Sequence, residues 1–365
     1  MMTGNKGEWS EVYTLLKLGG DGVVYAGDGE LNKTQTYFPI DAIIRKEVLN
    51  KEPHDIIYDL KKNRIVRIGN QTELELNPES FKLKADELFK ALSSTSGGSK
   101  LTFPEIEIFL QSIACDELKA KSTDKADVKL IVHDLRIGRT QELGFSIKSK
   151  LGGSSTLFNA SKDATNFLFK VEGMNDELMT EFNAINKDNC KHVFQSRFEL
   201  LNRYGAKVIF EKVVSKVFNN NLLYQDTALP EIWGNMVLAF YSEPISRVSD
   251  LCERIKEMNP LNFDLESGMD FYTFKVKQFL VNNALGMTPG TPWNGKYMAN
   301  GGYLVVKEDG DILCYHFYDK NDLEDYLFFN TKLETPSTTR HGFGTIFKDG
   351  ANYFLKLNLQ IRFIH

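Results

Sequence analysis

Asp127 and the triplet Ser146-Ile147-Lys148 are the residues of this 365-residue chain whose types and spacing suit one piece of chemistry. Residues 128–135, VKLIVHDL, are a β-prone run, RIGRTQE supplies a polar turn with Gly138, and 143–149, LGFSIKS, return, so 127–149 reads as a β-hairpin. Alternation along the second strand puts Ser146 and Lys148 on one face and turns Ile147 into the core. The hairpin brings Asp127 alongside that end, so a carboxylate, a lysine and a hydroxyl converge at a strand edge. Such a layout suits metal-assisted phosphodiester cleavage. The carboxylate would hold a divalent cation that polarises the phosphate and acidifies a bound water. The lysine would orient the water or stabilise transition-state charge, and the Ile147 carbonyl would complete the metal shell. Taken singly, Asp127 is an ordinary strand-start carboxylate and Lys148 a solvated strand lysine; the combination carries the reading.

The elements around the hairpin follow from periodicity and punctuation. Trp9, Val12, Leu15, Leu16 and Leu18 are spaced for a helix over 8–18, which Gly19-Gly20 should stop. Glu8 and Glu11 share a face of it. Short strands are expected at 36–45, 56–60 and 64–68, a helix at 79–92, a flexible loop at 93–100, and a helix opened by Pro104. After the hairpin come a loop, one helical turn near Ser161 and a strand at 167–171. The second half should hold helices at 176–185, 195–203, 228–242, 244–257 and 270–284, a Gly- and Pro-rich loop at 285–300, then strands and turns, with Asp-Gly hairpin signals at 309–310 and 349–350. A soft boundary falls near residue 173.

Composition bounds the function class. With 42% hydrophobic residues, 12% aromatics and 25% charged residues the chain is globular and not disordered. No stretch approaches the ~20 apolar residues of a membrane span, and the N-terminus lacks the apolar core of a signal peptide. Cys115, Cys190, Cys252 and Cys314 form no CxxC pair and read as reduced thiols, so a cytoplasmic protein is expected. Cys190–His192 and Cys314–His316 are too isolated for a zinc site. Gly152-Gly153-Ser154-Ser155 lacks the phosphate-loop pattern, which argues against a nucleotide cofactor, while its amides and the Ser154 and Ser155 hydroxyls suit a DNA backbone.

Several strings resemble the HpaII-type family of type II restriction endonucleases. They are KGEWSEVY at 6–13, FPEIEIFL at 103–110, DKADV at 124–128, GFSIKSKLGGSSTLFNASKDATNF at 144–167, ETPSTTRHGFG at 334–344 and FLKLNLQIRF at 354–363. Asp127 with Ser146-Ile147-Lys148 is similar to a variant of the PD-(D/E)XK nuclease motif. The resemblance implies a homodimer that binds double-stranded DNA, needs Mg²⁺ and cuts CCGG after the first cytosine. Ala126 replaces the motif's proline, and Ser146 stands where an acid would ligate the metal. A second carboxylate must then come from elsewhere, Glu11 first or its neighbour Glu8, with Glu142, Asp134 and Asp163 as alternatives. His133 and Asp134 are adjacent on a strand, point to opposite faces and form no dyad.

For DNA contact, TPSTTRHGFG at 335–344 reads as a loop between strands. The hydroxyls of Thr338 and Thr339 suit phosphates there, Arg340 suits guanine O6 and N7 in the major groove, and His341 joins them; base and phosphate contact are both open, beside an ordinary polar loop with a surface arginine. Lys356, Asn358, Gln360 and Arg362 alternate along the last strand, as a DNA face or a solvated edge. Arg136 and Arg139 sit in the hairpin turn. The expected architecture is α/β: a mixed central sheet flanked by helices as a nuclease core at 1–173, then a helical and β-rich region at 174–365 for recognition and dimerisation. A duplex-binding protein of nuclease ancestry that no longer cuts is the rival reading, and a scaffold without nucleic acid is a second.

The net charge of −5 favours that scaffold only until it is resolved along the chain. Ten cations face five anions between 119 and 170, and four face Asp349 alone from Arg340 onward.

Overall fold

The computed structural model describes residues 2–49, 52–67, 72–95, 100–118 and 126–364. Within it the β-prone runs build mainly one mixed sheet. Its first-half strands are β1 (Val23–Gly27), β2 (Lys33–Leu49), β3 (Glu52–Asp59), β4 (Arg64–Arg67), β5 (Thr72–Glu75), β6 (Val128–Asp134) and β7 (Arg139–Ser149). Two more, β11 (Gly302–Val306) and β12 (Ile312–His316), come from the second half, and the order is β1-β12-β11-β7-β6-β2-β3-β4-β5. The hairpin expected at 127–149 is β6–β7, antiparallel, with Gly138 at φ 61° in its turn.

β2 is longer than the strand expected at 36–45. Its first half pairs with β1 and its second with β3 and β6, so β1, β12, β11, β7, β6 and β2 close into a six-stranded barrel. The α/β class with a mixed sheet therefore holds, with closure as an unexpected feature. Closure follows from the one 17-residue strand reaching both edges of the set.

β11 and β12 explain why YLVV and ILCYH carry no polar alternation. Tyr303, Val305, Leu313 and Tyr315 enter one hydrophobic core, and Leu304, Val306, Ile312 and Cys314 enter the other. A hairpin buried on both faces needs apolar side chains at every position. Each buried Val or Leu contributes about 1.5–3 kcal/mol. β11 lies parallel to β7 and pairs Tyr303 with Ser146 and Val305 with Lys148.

The first helix, α1 (Lys6–Asp21), does not stop at Gly19-Gly20 as expected; it runs through both and ends at Gly22, φ 66°. The two glycines instead admit α2 (Pro78–Ser94), since a Cβ at either would lie 2.5 Å from Phe81 or Lys82. α3 (Pro104–Ser112) begins at the expected proline. Of the loop expected at 93–100, residues 96–99 lie outside the described residues, as do residue 68 of the third expected strand and Lys119, Lys121, Asp124 and Lys125 of the basic segment.

Two smaller sheets complete the molecule. One has the order β10-β9-β15-β14, from β9 (Asn166–Glu172), β10 (Lys207–Val213), β14 (Ile346–Asp349) and β15 (Asn352–Asn358). The other is β13-β16-β8, from β8 (Thr156–Phe158), β13 (Thr331–Leu333) and β16 (Ile361–Phe363). Around them pack α4 (Asp176–Ala184), α5 (Val193–Arg203), α6 (Lys216–Gln225), α7 (Leu229–Ser242), α8 (Val248–Met258), α9 (Phe271–Leu285) and α10 (Lys320–Phe329). β1, β5, β8, β10, α6 and α10 were not anticipated from the sequence. The chain crosses residue 173 in both directions, with β11 and β12 entering the first-half sheet and β8 and β9 joining second-half strands. Among the described residues no helix is long and apolar enough to cross a membrane.

Candidate functional site

The end of β7 behaves as its alternation requires. Phe145 is buried in the core beneath α1 and Ile147 packs against it, while Ser146 and Lys148 take the other face beside Tyr303 and Val305. Asp127, one residue before β6, is held to the same end by its backbone amide, which donates to the Phe145 carbonyl at 2.8 Å.

Asp127 Oδ2 accepts the Ile147 amide at 2.7 Å and the Ser146 hydroxyl at 3.1 Å. Ser146 Oγ in turn accepts from Lys148 Nζ at 3.2 Å. Ser146, in the position of the motif's acid, thus joins the carboxylate to the amine. Tyr303, absent from the sequence reading, covers them: it is buried, and its ring centroid lies 5.2 Å from Lys148 Nζ. Burial, and then the Asp127 charge, hold its phenol neutral well above the ordinary tyrosine range. No local signal marks Tyr303, because it lies more than 150 residues from its partners and only the parallel β11–β7 pairing delivers it.

The N-terminal helix packs across this end of the sheet. The buried Ser10 donates to Ser149 Oγ at 2.7 Å, which pins the helix turn carrying Glu11 to the strand end next to Lys148. Glu11 and Lys148 line one cleft of about 450 Å³, together with Ser154, Ser155 and Arg362. Gly152 lets the loop approach the helix, since a Cβ there would lie 3.2 Å from the Lys6 Cβ. Glu8 borders the same cleft but is engaged in capping α1: its Oε2 accepts the Asn5 amide at 2.9 Å while Asn5 Oδ1 accepts the Glu8 amide at 3.1 Å.

The alternative carboxylates are not gathered here. Glu142 is exposed and paired with Lys129 at 2.8 Å, four residues along β7 from Ser146. Asp134 ends β6 and binds the Arg136 guanidinium; Asp163 is exposed in the turn after β8. His133 Nδ1 is 3.0 Å from Thr140 Oγ1. Among the described residues no group of three or more His, Cys, Asp or Glu is arranged to hold a metal, and the four cysteines are free thiols.

The donor set nevertheless fits a hard cation that keeps most of its water. The Ser146 hydroxyl and the Ile147 amide both bind Asp127 through Oδ2, so one carboxylate oxygen carries both of these contacts. The Ile147 amide points past the end of β6 at Asp127, and in a strand the carbonyl of the same residue points the same way. A cation of the magnesium type uses one or two carboxylates and retains several waters.

Apart from Gln360, the residues expected to contact DNA lie in three places. Thr338, Thr339, Arg340 and His341 form α11 (Thr338–His341), a single helical turn capped by Ser337 where a loop was expected; Thr339 and Arg340 are exposed. Thr338 and Thr339 line a groove of about 1040 Å³ whose far wall carries Lys187, Lys191 and His192. That basic wall was missed, although Lys187-Asp-Asn-Cys-Lys-His192 displays it in the sequence. The second place is the cleft, with Ser154 and Ser155. The third is the far end of the β6–β7 hairpin, where Arg136 is bound to Asp134 and Asp319. Arg139, exposed, is paired opposite Asp134, seven residues along the strand from Asp127, or about 23 Å.

The alternating polar face expected on the last strand does not exist as one face, because the chain leaves β15 at Asn358 and enters β16, in another sheet, at Ile361. Asn358 is buried among Ser161, Thr165 and Asn166. Gln360, half-buried in the crossover, accepts the Glu334 amide through its carbonyl at 3.2 Å.

Comparison with known proteins follows the same residues from end to end. The model of the HpaII restriction endonuclease family matches positions 5–363. Type II restriction enzyme HpaII of Haemophilus parainfluenzae is 44% identical over 364 residues, covering 99% of this chain and 99% of that protein. No solved structure matches.

Proposed function

Because this chain belongs to the HpaII restriction endonuclease family and is a type II restriction enzyme, we propose that it cuts both strands of double-stranded DNA at CCGG, after the first cytosine. The Asp127–Ser146–Lys148 linkage carries this reading, since it gathers the carboxylate and amine of a variant PD-(D/E)XK site at one strand end.

Asp127, the Ile147 carbonyl and Glu11 would hold Mg²⁺, with Glu8 kept to its capping role. When bound, the cation supplies Lewis acidity to the scissile phosphate and lowers the pKa of a coordinated water. The chain's own residues do the rest. Lys148, oriented by the Ser146 oxygen and the Tyr303 face, presents its ammonium to the charge that grows on the phosphate oxygens. Ser154 and Ser155 donate to the neighbouring backbone phosphate. The 174–365 region supplies recognition, with the duplex against the groove between α11 and the Lys187–His192 wall, and Arg340 addressing guanine. A palindromic target calls for a two-fold homodimer, each subunit cutting one strand.

The test is incubation of plasmid DNA with and without Mg²⁺, followed by sequencing of the ends. Discrete metal-dependent cuts within CCGG are expected. Specific binding without any cut would favour the non-cleaving reading that Ser146 first raised, and discrete ends elsewhere would keep the chemistry and discard CCGG.

A further inference from the structure

One side chain ties the loop of the cleft to Glu334, the residue before Thr335 of the groove. β16 is the middle strand of β13-β16-β8. On one side, β13 ends at Leu333 and leads through Glu334 into the segment that carries α11. On the other, β8 begins at Thr156, directly after Ser154 and Ser155 of the cleft. Arg362 of β16 reaches both: Nη1 donates to Glu334 Oε1 at 2.7 Å, and Nη2 donates to the Ser154 carbonyl. The backbone reinforces each side, with the Phe363 amide on the Ser155 carbonyl at 2.9 Å and the Glu334 amide on the Gln360 carbonyl at 3.2 Å.

Arg362 also lines the cleft with Lys148, yet its charge is already matched by Glu334, both terminal nitrogens donate to protein acceptors, and the unpartnered Nε is buried away from the cleft's solvent. It is therefore poorly suited to bind a phosphate itself. A planar guanidinium can satisfy two acceptors in fixed directions, which a lysine ammonium on a flexible stem cannot.

We propose that Arg362 is a positioning residue that fixes the Ser154-Ser155 loop of the cleft relative to Glu334, at the root of the recognition segment. Its loss should slow cutting of bound DNA and erode discrimination against wrong sites, and leave affinity nearly intact. The proposal rests on the reading of the cleft as the cutting site.

The test uses the full-length protein and the variants R362K and E334Q. A short duplex with one CCGG, and duplexes with one base pair changed, serve as probes. Affinity is measured without metal, and single-turnover cleavage with Mg²⁺ at saturating protein. Misplacing a reactive group by ~1 Å costs about 10²-fold, so cleavage should fall by about 10- to 100-fold. Metal-free affinity should stay within about threefold, and the ratio of correct to altered-site cutting should fall. Unchanged cleavage in both variants overturns the proposal, and so does a parallel loss of affinity and rate on every duplex, the mark of a direct phosphate contact. If R362K does not fold, E334Q decides, because an unchanged rate there refutes the link. A wild type that binds and never cuts removes the reading of the cleft, and this proposal with it; normal wild-type cutting with normal variants removes the proposal alone.

Discussion

Ser146 donates its hydroxyl proton to Asp127 across 3.1 Å, and the same oxygen accepts from Lys148 at 3.2 Å, so one small side chain sets the separation of carboxylate and amine. An acid at this position would add a negative charge beside Asp127. The serine adds direction without charge. Ser146→Ala should therefore lower the cleavage rate moderately, by about tenfold, in line with about 1.5 kcal/mol for a hydrogen bond to a charged group. Single-turnover kinetics checks this, and a rate equal to wild type would make the serine a spectator.

Asp127→Asn and Lys148→Ala should each cost about 10²–10³ in rate, the scale of losing one electrostatic partner of the transition state. Metal-free binding of a CCGG duplex should persist in both. Full cleavage by either variant would move the site elsewhere.

Glu11 and Glu8 separate by readout. Glu11→Gln should reduce Mg²⁺-dependent cutting with little change in melting temperature. Glu8→Ala should keep the activity and lose about 0.5–2 kcal/mol of stability, because it removes one half of the capping box on α1. Thermal denaturation beside plasmid assays tells the two apart, and the reverse pattern would exchange their roles.

Lys191→Ala should flatten the dependence of log affinity on log salt by about 0.9, as expected for one lost phosphate contact. Arg340→Ala should instead relax discrimination at one base pair, at a cost of about 1–3 kcal/mol. Equal weakening on all sequences by Arg340→Ala would reassign it to the backbone.

His316 predicts an acid limb in stability. Burial among aromatic rings pushes its pKa from 6.5 down to about 4, against the opposing pull of Asp319 and Asp134. Between those values the unfolded chain binds a proton that the folded one refuses, so stability is complete above about 6.5 and falls as pH drops toward 4. Below that both states are protonated and the loss levels off, at about 3 kcal/mol in total. Urea denaturation across this range should show a shallower slope in His316→Gln; identical slopes would mean that other groups set the acid limb.

The β6–β7 hairpin, the face shared by Ser146 and Lys148, the inward turn of Ile147 and the helix bearing Glu11 were all legible in the sequence. Each depends on local periodicity and turn chemistry within about 25 residues, and the structure keeps them. Gly19 and Gly20 show the limit of that logic: read locally they end a helix, and only the approach of Phe81 and Lys82 reveals them as a helix-packing surface. The split of the last polar strand, the barrel closed by β2, Tyr303 over Lys148 and Arg362 on Ser154 were decided by tertiary structure alone. Their partners lie far apart along the chain, and the pairing is chosen by which strand can bury both faces, as β11 and β12 do between two cores. Local side-chain pattern tells a strand which face is apolar; it carries no record of which distant strand will cover it.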